Sequence, residues 1–123
     1  MIYFSVCSRS DGQPNLLNKL SSYCVDTEAL QLKVCYDAKS IYEGHSQNID
    51  FFKTLNLQDD DIIVLCHDDI EILSKQTDLI KYLSHARKPG VGFLGVAGGC
   101  FIPSNGAWWN ARNTGQARGF VFQ

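Results

Sequence analysis

The sequence predicts an α/β fold with a mostly parallel sheet flanked by helices. Apolar or period-two segments alternate with segments of helical spacing, in the order strand, helix, strand, helix, strand, helix, strand. This alternation is typical of parallel strands joined by right-handed crossovers. The chain has 123 residues, of which 45% are hydrophobic, so we expect one domain with a substantial core.

The first three elements follow from hydrophobic spacing. Residues 2–7 form an apolar run that ends in a polar, glycine-containing loop, which predicts a strand. Residues 14–20 carry leucines at helical spacing and predict a short helix. Residues 30–36 alternate with a period of two, so they predict a second strand, which Asp37 ends.

Two starts compete for the second helix. Ser40 and Glu43 have the spacing of a capping box, but Gly44 follows at once. We therefore expect the helix to begin after Ser46 as its N-cap. Its buried face is expected to consist of Ile49, Phe52 and Leu55.

The third strand is predicted at residues 62–66, an apolar run preceded by Asp59-Asp60-Asp61. A continuous apolar run predicts a strand that is buried on both faces in the middle of the sheet. One imidazole and three carboxylates follow it within five residues, in the segment His67-Asp68-Asp69-Ile70-Glu71.

The rest of the chain predicts one more helix and a fourth strand. The helix is expected to begin after Ser74 as its N-cap and to end at the motif Lys88-Pro89-Gly90. The apolar face of this helix is expected to comprise Leu79, Ile80, Leu83 and Ala86. Residues 91–97 predict the fourth strand, with turns at 98–99 and 103–106. The apolar segment 119–122 is expected to be a strand without an obvious partner.

Composition limits the function classes and the compartment. The net charge is −2, which argues against non-specific nucleic-acid binding. The five cysteines contain no C-x-x-C pair, so we expect free thiols in a reducing, cytoplasmic compartment. His45 and His85 are expected to be solvated, and the histidines and cysteines lack zinc-ligand spacing. No apolar run is long enough to cross a membrane.

Two other motifs match known sites only in part. Residues 90–95 fit G-x-G-x-x-G, but no helix follows to bind a dinucleotide phosphate. The aspartates after the third strand, with Lys88-Pro89, suggest a receiver-like phosphoacceptor domain. That interpretation also needs an acidic pair after the first strand, where this chain has Ser8-Arg9.

Polar side chains follow three strands of the predicted parallel sheet. Ser8 and Arg9 follow the first strand, Asp37 the second, and the 67–69 segment the third. Because such strand ends converge on one crevice, we expect a binding site there. Carboxylates together with phosphate oxygens suit Mg²⁺ or Mn²⁺. Asp37 would bind the base or ribose of a nucleoside. Asp69 would bind a metal ion that bridges to the diphosphate of the same nucleotide. The alternative is a solvated acidic loop.

The segment 62–71 resembles the metal-binding strand of glycosyltransferases with the GT-A fold. Their D-x-D motif corresponds here to His67-Asp68-Asp69, an H-x-D form. The glycine-rich segment 92–99, followed by Gly106-Ala107-Trp108-Trp109, is similar to a region of a bacterial group of family-two-like glycosyltransferases. The resemblance covers nearly the whole chain and implies a Rossmann-like domain of the GT-A type.

The resemblance also implies roles and partners. Asp69 is expected to bind Mn²⁺ or Mg²⁺, and His67 to contact the ribose or the metal. With Ser8, Arg9, Asp37 and Asp68 they would bind a nucleotide-diphosphate sugar. Transfer would be to a hydroxyl of an unknown saccharide or lipid-linked saccharide acceptor, at the inner membrane face or in the cytoplasm.

The resemblance names no catalytic residue in these 123 residues. The acceptor-binding part is expected to lie outside the chain, which would then lack sugar-transfer activity by itself. The edge at 119–122 would promote homo-oligomerisation. The alternative from another functional class is a non-catalytic module that binds a nucleotide or a partner. Metal-dependent nucleotide binding without turnover of a nucleotide sugar would favour this module over the glycosyltransferase.

Overall fold

A computed structural model describes residues 1–11, 14–95, 97–99 and 117–119. The chain divides into two compact units, Met1–Pro89 and Gly90–Gln123. The first unit contains the first three predicted strands and all the candidate site residues.

The first unit is an α/β domain with an all-parallel sheet. Its elements are β1 (Ile2–Ser8), α1 (Pro14–Val25), β2 (Leu30–Tyr36), α2 (Ile41–Lys53), β3 (Ile62–His67) and α3 (Gln76–Leu83), followed by a 3₁₀ helix (Ser84–Arg87). The three strands lie in the order β2-β1-β3. This open parallel sheet flanked by helices is compatible with a Rossmann-like fold and confirms the predicted fold class at that level.

The strand β1 is buried on both faces, and the two faces differ in chemistry. Ile2, Phe4 and Val6 are almost fully buried in the main apolar core, where leucines of α1 pack against them. The alternate residues face α2. The Tyr3 ring lies 4.9 Å from the Phe52 ring, and the Ser5 hydroxyl contacts His45 of that helix. Because side chains alternate along a strand, one strand supports helices on both sides of the sheet.

The predicted position of β3 in the middle of the sheet is wrong for the described residues. β1 pairs with both β2 and β3, whereas β3 lies at an edge of this sheet. Leu65 of β3 is 56% exposed, so the strand is not buried on both faces. A short apolar run does not reveal strand order, because order depends on where the crossovers return the chain.

The predicted start of α2 is also wrong. Ser40 is the N-cap, and its hydroxyl accepts a hydrogen bond of 3.0 Å from the Glu43 backbone N–H. The helix continues through Gly44 and ends at Lys53, so Leu55 lies beyond it and is 38% exposed. A Cβ atom at Gly44 would lie 2.5 Å from Cys7 Sγ. The absence of a side chain therefore lets the helix approach β1 closely.

The apolar face predicted for the third helix is confirmed, but its cap is not. Residues of α3 and of the 3₁₀ helix pack, partly buried, against the core: Leu79, Ile80, Leu83 and Ala86. The N-cap is Lys75, which makes no side-chain capping bond. The predicted cap, Ser74, instead accepts a 2.7 Å hydrogen bond at its carbonyl from the Tyr23 hydroxyl.

The second unit departs from the predicted fourth strand. Residues 91–95 are exposed and have no regular secondary structure. The strand β4 (Ala97–Gly99) pairs antiparallel with β5 (Ala117–Gly119), so Gly98 and Gly99 lie in a strand and not in a turn. Glycines give a strand no side chains to pack, which weakens the predicted 91–97 element. The predicted turn at 103–106, Trp108-Trp109 and residues 120–122 lie outside the described residues.

Within the described ranges, the helices are all too short or too polar to cross a bilayer.

Candidate functional site

The carboxyl ends of the three parallel strands form one edge of the sheet. From the central strand β1 the chain goes first to β2 on one side, and later to β3 on the other. Strand order therefore reverses between β1 and β3. In open α/β sheets, this reversal is where ligands bind, beyond the carboxyl ends of the strands.

Asp68 joins the ends of β1 and β3. Its Oδ2 atom accepts a 3.1 Å hydrogen bond from the Ser8 hydroxyl and a 3.3 Å bond from the Arg9 backbone N–H. The Arg9 N–H lowers the pKa of the Asp68 carboxyl most, and the Ser8 hydroxyl and the Arg9 charge lower it further. Asp68 is therefore an anion that fixes the turn after β1.

Asp37 joins the ends of β1 and β2 in a similar way. Its backbone N–H donates to the Ser8 carbonyl at 2.9 Å, and its Oδ1 accepts from the Ser10 backbone N–H at 3.0 Å. This hydrogen bond from Ser10 is the main cause of the lowered pKa of Asp37. The residue has a φ of 52°, a left-handed conformation that aspartate tolerates better than most residues. Asp37 and Asp68 thus hold the same turn from opposite sides.

The two proposed metal ligands lie beside this arrangement. His67 is the exposed last residue of β3, paired in register with Cys7. Asp69 is exposed and makes no hydrogen bond or ion pair within the described part of the chain. That part contains no group of three or more His, Cys, Asp or Glu residues able to hold a metal. The donor set fits only a cation that takes its other ligands from phosphate and water.

The structure thus brings together Ser8, Arg9, Asp37 and Asp68, four of the six predicted site residues, through direct hydrogen bonds. The remaining two, His67 and Asp69, flank Asp68 in sequence without joining this network. The predicted convergence at the strand ends is therefore observed for the turn after β1.

A buried polar network below the turn was not predicted. The Ser5 hydroxyl lies 2.7 Å from His45 Nδ1, and the Asn48 amide donates to Ser5 Oγ at 2.9 Å. Asn48 also donates to the carbonyls of Val6 and Lys33, both at 3.2 Å. Ser5 Oγ thus accepts from Asn48 and shares a second hydrogen bond with His45 Nδ1, whose direction depends on the histidine tautomer.

The expected solvation of His45 is wrong, since the residue is 7% exposed. Burial lowers the pKa of the His45 imidazole, and the nearby His67 lowers it further. The sequence did contain a signal: Ser5 interrupts an apolar run, and a buried hydroxyl requires a partner. His85, by contrast, is exposed as expected.

Four cysteines in the described residues are free thiols: Cys7, Cys24, Cys35 and Cys66. Burial raises the pKa of the Cys7 thiol, and Cys35 and Asp68 nearby raise it further. Burial alone raises the pKa of Cys66 to about 11. Cys100 lies outside the described residues.

A surface depression occurs at the opposite end of the domain. It is lined by residues 24–28 together with Met1, Leu30 and Gln31. None of the candidate site residues lines it, and it lacks the hydrogen-bonded carboxylates of the β1 turn. We therefore locate the candidate site by its chemistry and topology, at the carboxyl ends of the strands.

Comparisons with protein-family models, with curated proteins and with solved structures found no match to this chain.

Proposed function

We propose that this domain binds the nucleoside diphosphate part of a nucleotide sugar, together with Mg²⁺ or Mn²⁺, as the donor-binding part of a GT-A-type glycosyltransferase. The proposal rests mainly on Asp68, whose carboxylate links the turn after β1 to the end of β3. This link lies where strand order reverses, the usual position of nucleotides in open α/β sheets.

The charges at the site favour binding that depends on a cation. The backbone N–H groups of Arg9 and Ser10 already donate to Asp68 and Asp37. A diphosphate that approaches this turn would meet two ionised carboxylates, with that of Asp69 alongside. Like charges at such short range repel strongly, so we expect little binding without a divalent cation.

Asp69 is the residue that we propose as the main metal ligand. Its exposed carboxylate has no competing hydrogen bond among the described residues, so both oxygens are open. His67, two residues earlier, supplies a second candidate donor. When bound, the cation would stabilise the negative charge on the leaving diphosphate as a Lewis acid. Ser8 and Arg9 would orient the nucleotide through the turn that Asp68 fixes.

One observation favours a second candidate, a non-catalytic binding module. Asp37 and Asp68 both accept hydrogen bonds from the turn that joins them, so each has a structural task that requires no catalysis. In that case a nucleotide or a partner would bind the crevice without turnover. Release of nucleoside diphosphate from a nucleotide sugar separates the two candidates.

Thermal denaturation with nucleotides tests the proposed site. UDP or GDP at a hundredfold excess over its dissociation constant should stabilise the fold by about 2.7 kcal/mol in the presence of Mn²⁺. EDTA should abolish this stabilisation. Asp69→Asn should also abolish it and leave the unliganded protein as stable as the wild type, because the side chain is exposed.

Asp59→Asn is the matched control. It removes the same charge from an exposed aspartate before β3, at the end of the strand away from the site. It should keep the full cation-dependent stabilisation. Equal stabilisation in EDTA, or equal losses in both variants, would contradict the proposed metal bridge.

A further inference from the structure

A pair of thiols, Cys7 and Cys35, lies on the α2 side of the sheet. Cys7 of β1 and Cys35 of β2 are direct partners in the parallel register. Register partners on neighbouring strands point to the same face of the sheet. Among the described cysteines no other two are register partners, since Cys24 lies in a helix and Cys66 pairs with Val6.

Both sulfur atoms contact the same helix. Cys7 Sγ lies 3.7 Å from the Ile41 carbonyl oxygen, and Cys35 Sγ lies 3.3 Å from Gln47 Oε1. Between these two α2 residues is Gly44, which offers backbone and no side chain to Cys7. At Gly44 the helix therefore presents backbone, and no side chain, to Cys7. Both cysteines are only partly buried, so a small oxidant can reach them.

We propose that Cys7 and Cys35 form a reversible disulfide when the protein meets a hydroperoxide. Neighbouring strands are about 4.7–4.9 Å apart, within the range of Cα separations of about 4.4–6.8 Å seen in disulfides. The Cβ atoms must approach to roughly 3.5–4.5 Å, so the strand ends must draw together slightly. A disulfide under this strain is reduced easily, as expected of a responsive bond and not of a permanent one.

The chemistry requires only the two thiols and the peroxide. One cysteine thiolate attacks a peroxide oxygen, the O–O bond breaks, and water or an alcohol leaves with a proton, so that this cysteine becomes a sulfenic acid. The thiolate of the other cysteine attacks its sulfur. The S–S bond forms, the S–O bond breaks, and hydroxide leaves and takes a proton as water. Two thiols are oxidised by two electrons, and one peroxide is reduced by two.

The bond would act on the candidate site without depending on its proposed function. Cys7 immediately precedes Ser8, and Cys35 lies two residues before Asp37. The 2.9 Å hydrogen bond from Asp37 N–H to the Ser8 carbonyl spans the same two strand ends. Drawing these ends together changes the geometry of the turn after β1. The disulfide is detected by mass, with no nucleotide, metal or sugar present.

Peptide mapping of the native protein tests the proposal. Trypsin places each of the five cysteines on a separate peptide, with Cys7 in residues 1–9 and Cys35 in residues 34–39. Reduced protein is treated with hydrogen peroxide, its remaining thiols are alkylated, and the protein is digested. We expect two of the five thiols to be lost, a covalent 1–9/34–39 peptide lighter by two hydrogens, and recovery of both thiols with dithiothreitol.

Two substitutions provide controls. Cys35→Ser should abolish the linked peptide, whereas Cys24→Ser, in α1, should retain it. If Cys35→Ser does not fold, the wild-type map decides by itself. The proposal is overturned if peroxide links Cys7 or Cys35 mainly to other cysteines. It is also overturned if the linked peptide forms only in denaturant, or if the two residues reach sulfinic acid without a disulfide.

Discussion

The close approach of α2 to β1 makes Gly44 a sharp test of the packing. Alanine in place of glycine inside a helix usually stabilises it, by up to ~1 kcal/mol. Here the new Cβ would lie 2.5 Å from Cys7 Sγ and 3.2 Å from the Ala38 Cβ. Overpacking of this kind costs about 1–3 kcal/mol. Gly44→Ala should therefore destabilise the protein by roughly 0–2 kcal/mol, the difference of the two effects.

A double-mutant cycle isolates the contact between Gly44 and Cys7. Cys7→Ala removes the sulfur that the new Cβ would strike. In that background Gly44→Ala should be neutral or stabilising, because the helix-propensity gain remains and the worst contact is gone. Helix propensity and the loss of the Cys7 thiol both cancel in the cycle. The coupling energy should therefore be about 1–3 kcal/mol, far above the ~0.5 kcal/mol expected of independent sites.

Urea denaturation of the four proteins, followed by circular dichroism, measures the cycle. The slope of the free energy of unfolding against urea should be the same in all four, so that midpoints report stability. Additive effects within ~0.5 kcal/mol would refute the close approach of α2 to β1. So would a stabilising effect of Gly44→Ala in the wild-type background.

Two predictions concern the buried network on α2. Asn48→Ala should lower the free energy of unfolding by about 2–3 kcal/mol, because it leaves buried acceptors without their donor. The control is Asn18→Ala at an exposed position of α1, which should change this free energy by less than ~0.5 kcal/mol. Equal urea midpoints for the two variants would contradict the network. Because the His45 pKa is lowered in the fold, the unfolded chain binds more protons below its ordinary pKa of about 6.5. The free energy of unfolding should therefore be highest above that pH, and it should fall as the pH drops towards the pKa of His45 in the folded protein. His45→Gln should remove this pH dependence, whereas His85→Gln should leave it unchanged. Urea midpoints at pH 5 and 7.5 measure the effect.

Local patterns were sufficient where one element decides its own structure. The period of two at β2 and the apolar run at β1 gave strands at nearly the observed bounds, because alternation and burial are properties of a few consecutive residues. The apolar face of α3 was predictable for the same reason. The glycine-rich residues 91–95 misled the prediction, since their pattern specifies no packed face.

The candidate site was predictable only as a set of strand ends. Parallel strands necessarily bring Ser8, Asp37 and Asp68 to one edge of the sheet. The sequence did not reveal that both carboxylates would bind the backbone of the turn after β1. Such bonds depend on the loop conformation, including the left-handed Asp37, which no periodicity describes.

The alternation of strands and helices follows from the hydrophobic pattern, and this alternation in turn predicts the parallel sheet and the edge that carries the candidate site. Three other features are visible only in the folded molecule: β1 is central, α2 begins after Ser40, and His45 is buried. These three outcomes share a physical cause. Each depends on contacts between residues far apart in the chain, such as Gly44 against Cys7 or His45 against Ser5, and the free energy of these contacts outweighs the local preferences that a sequence pattern records.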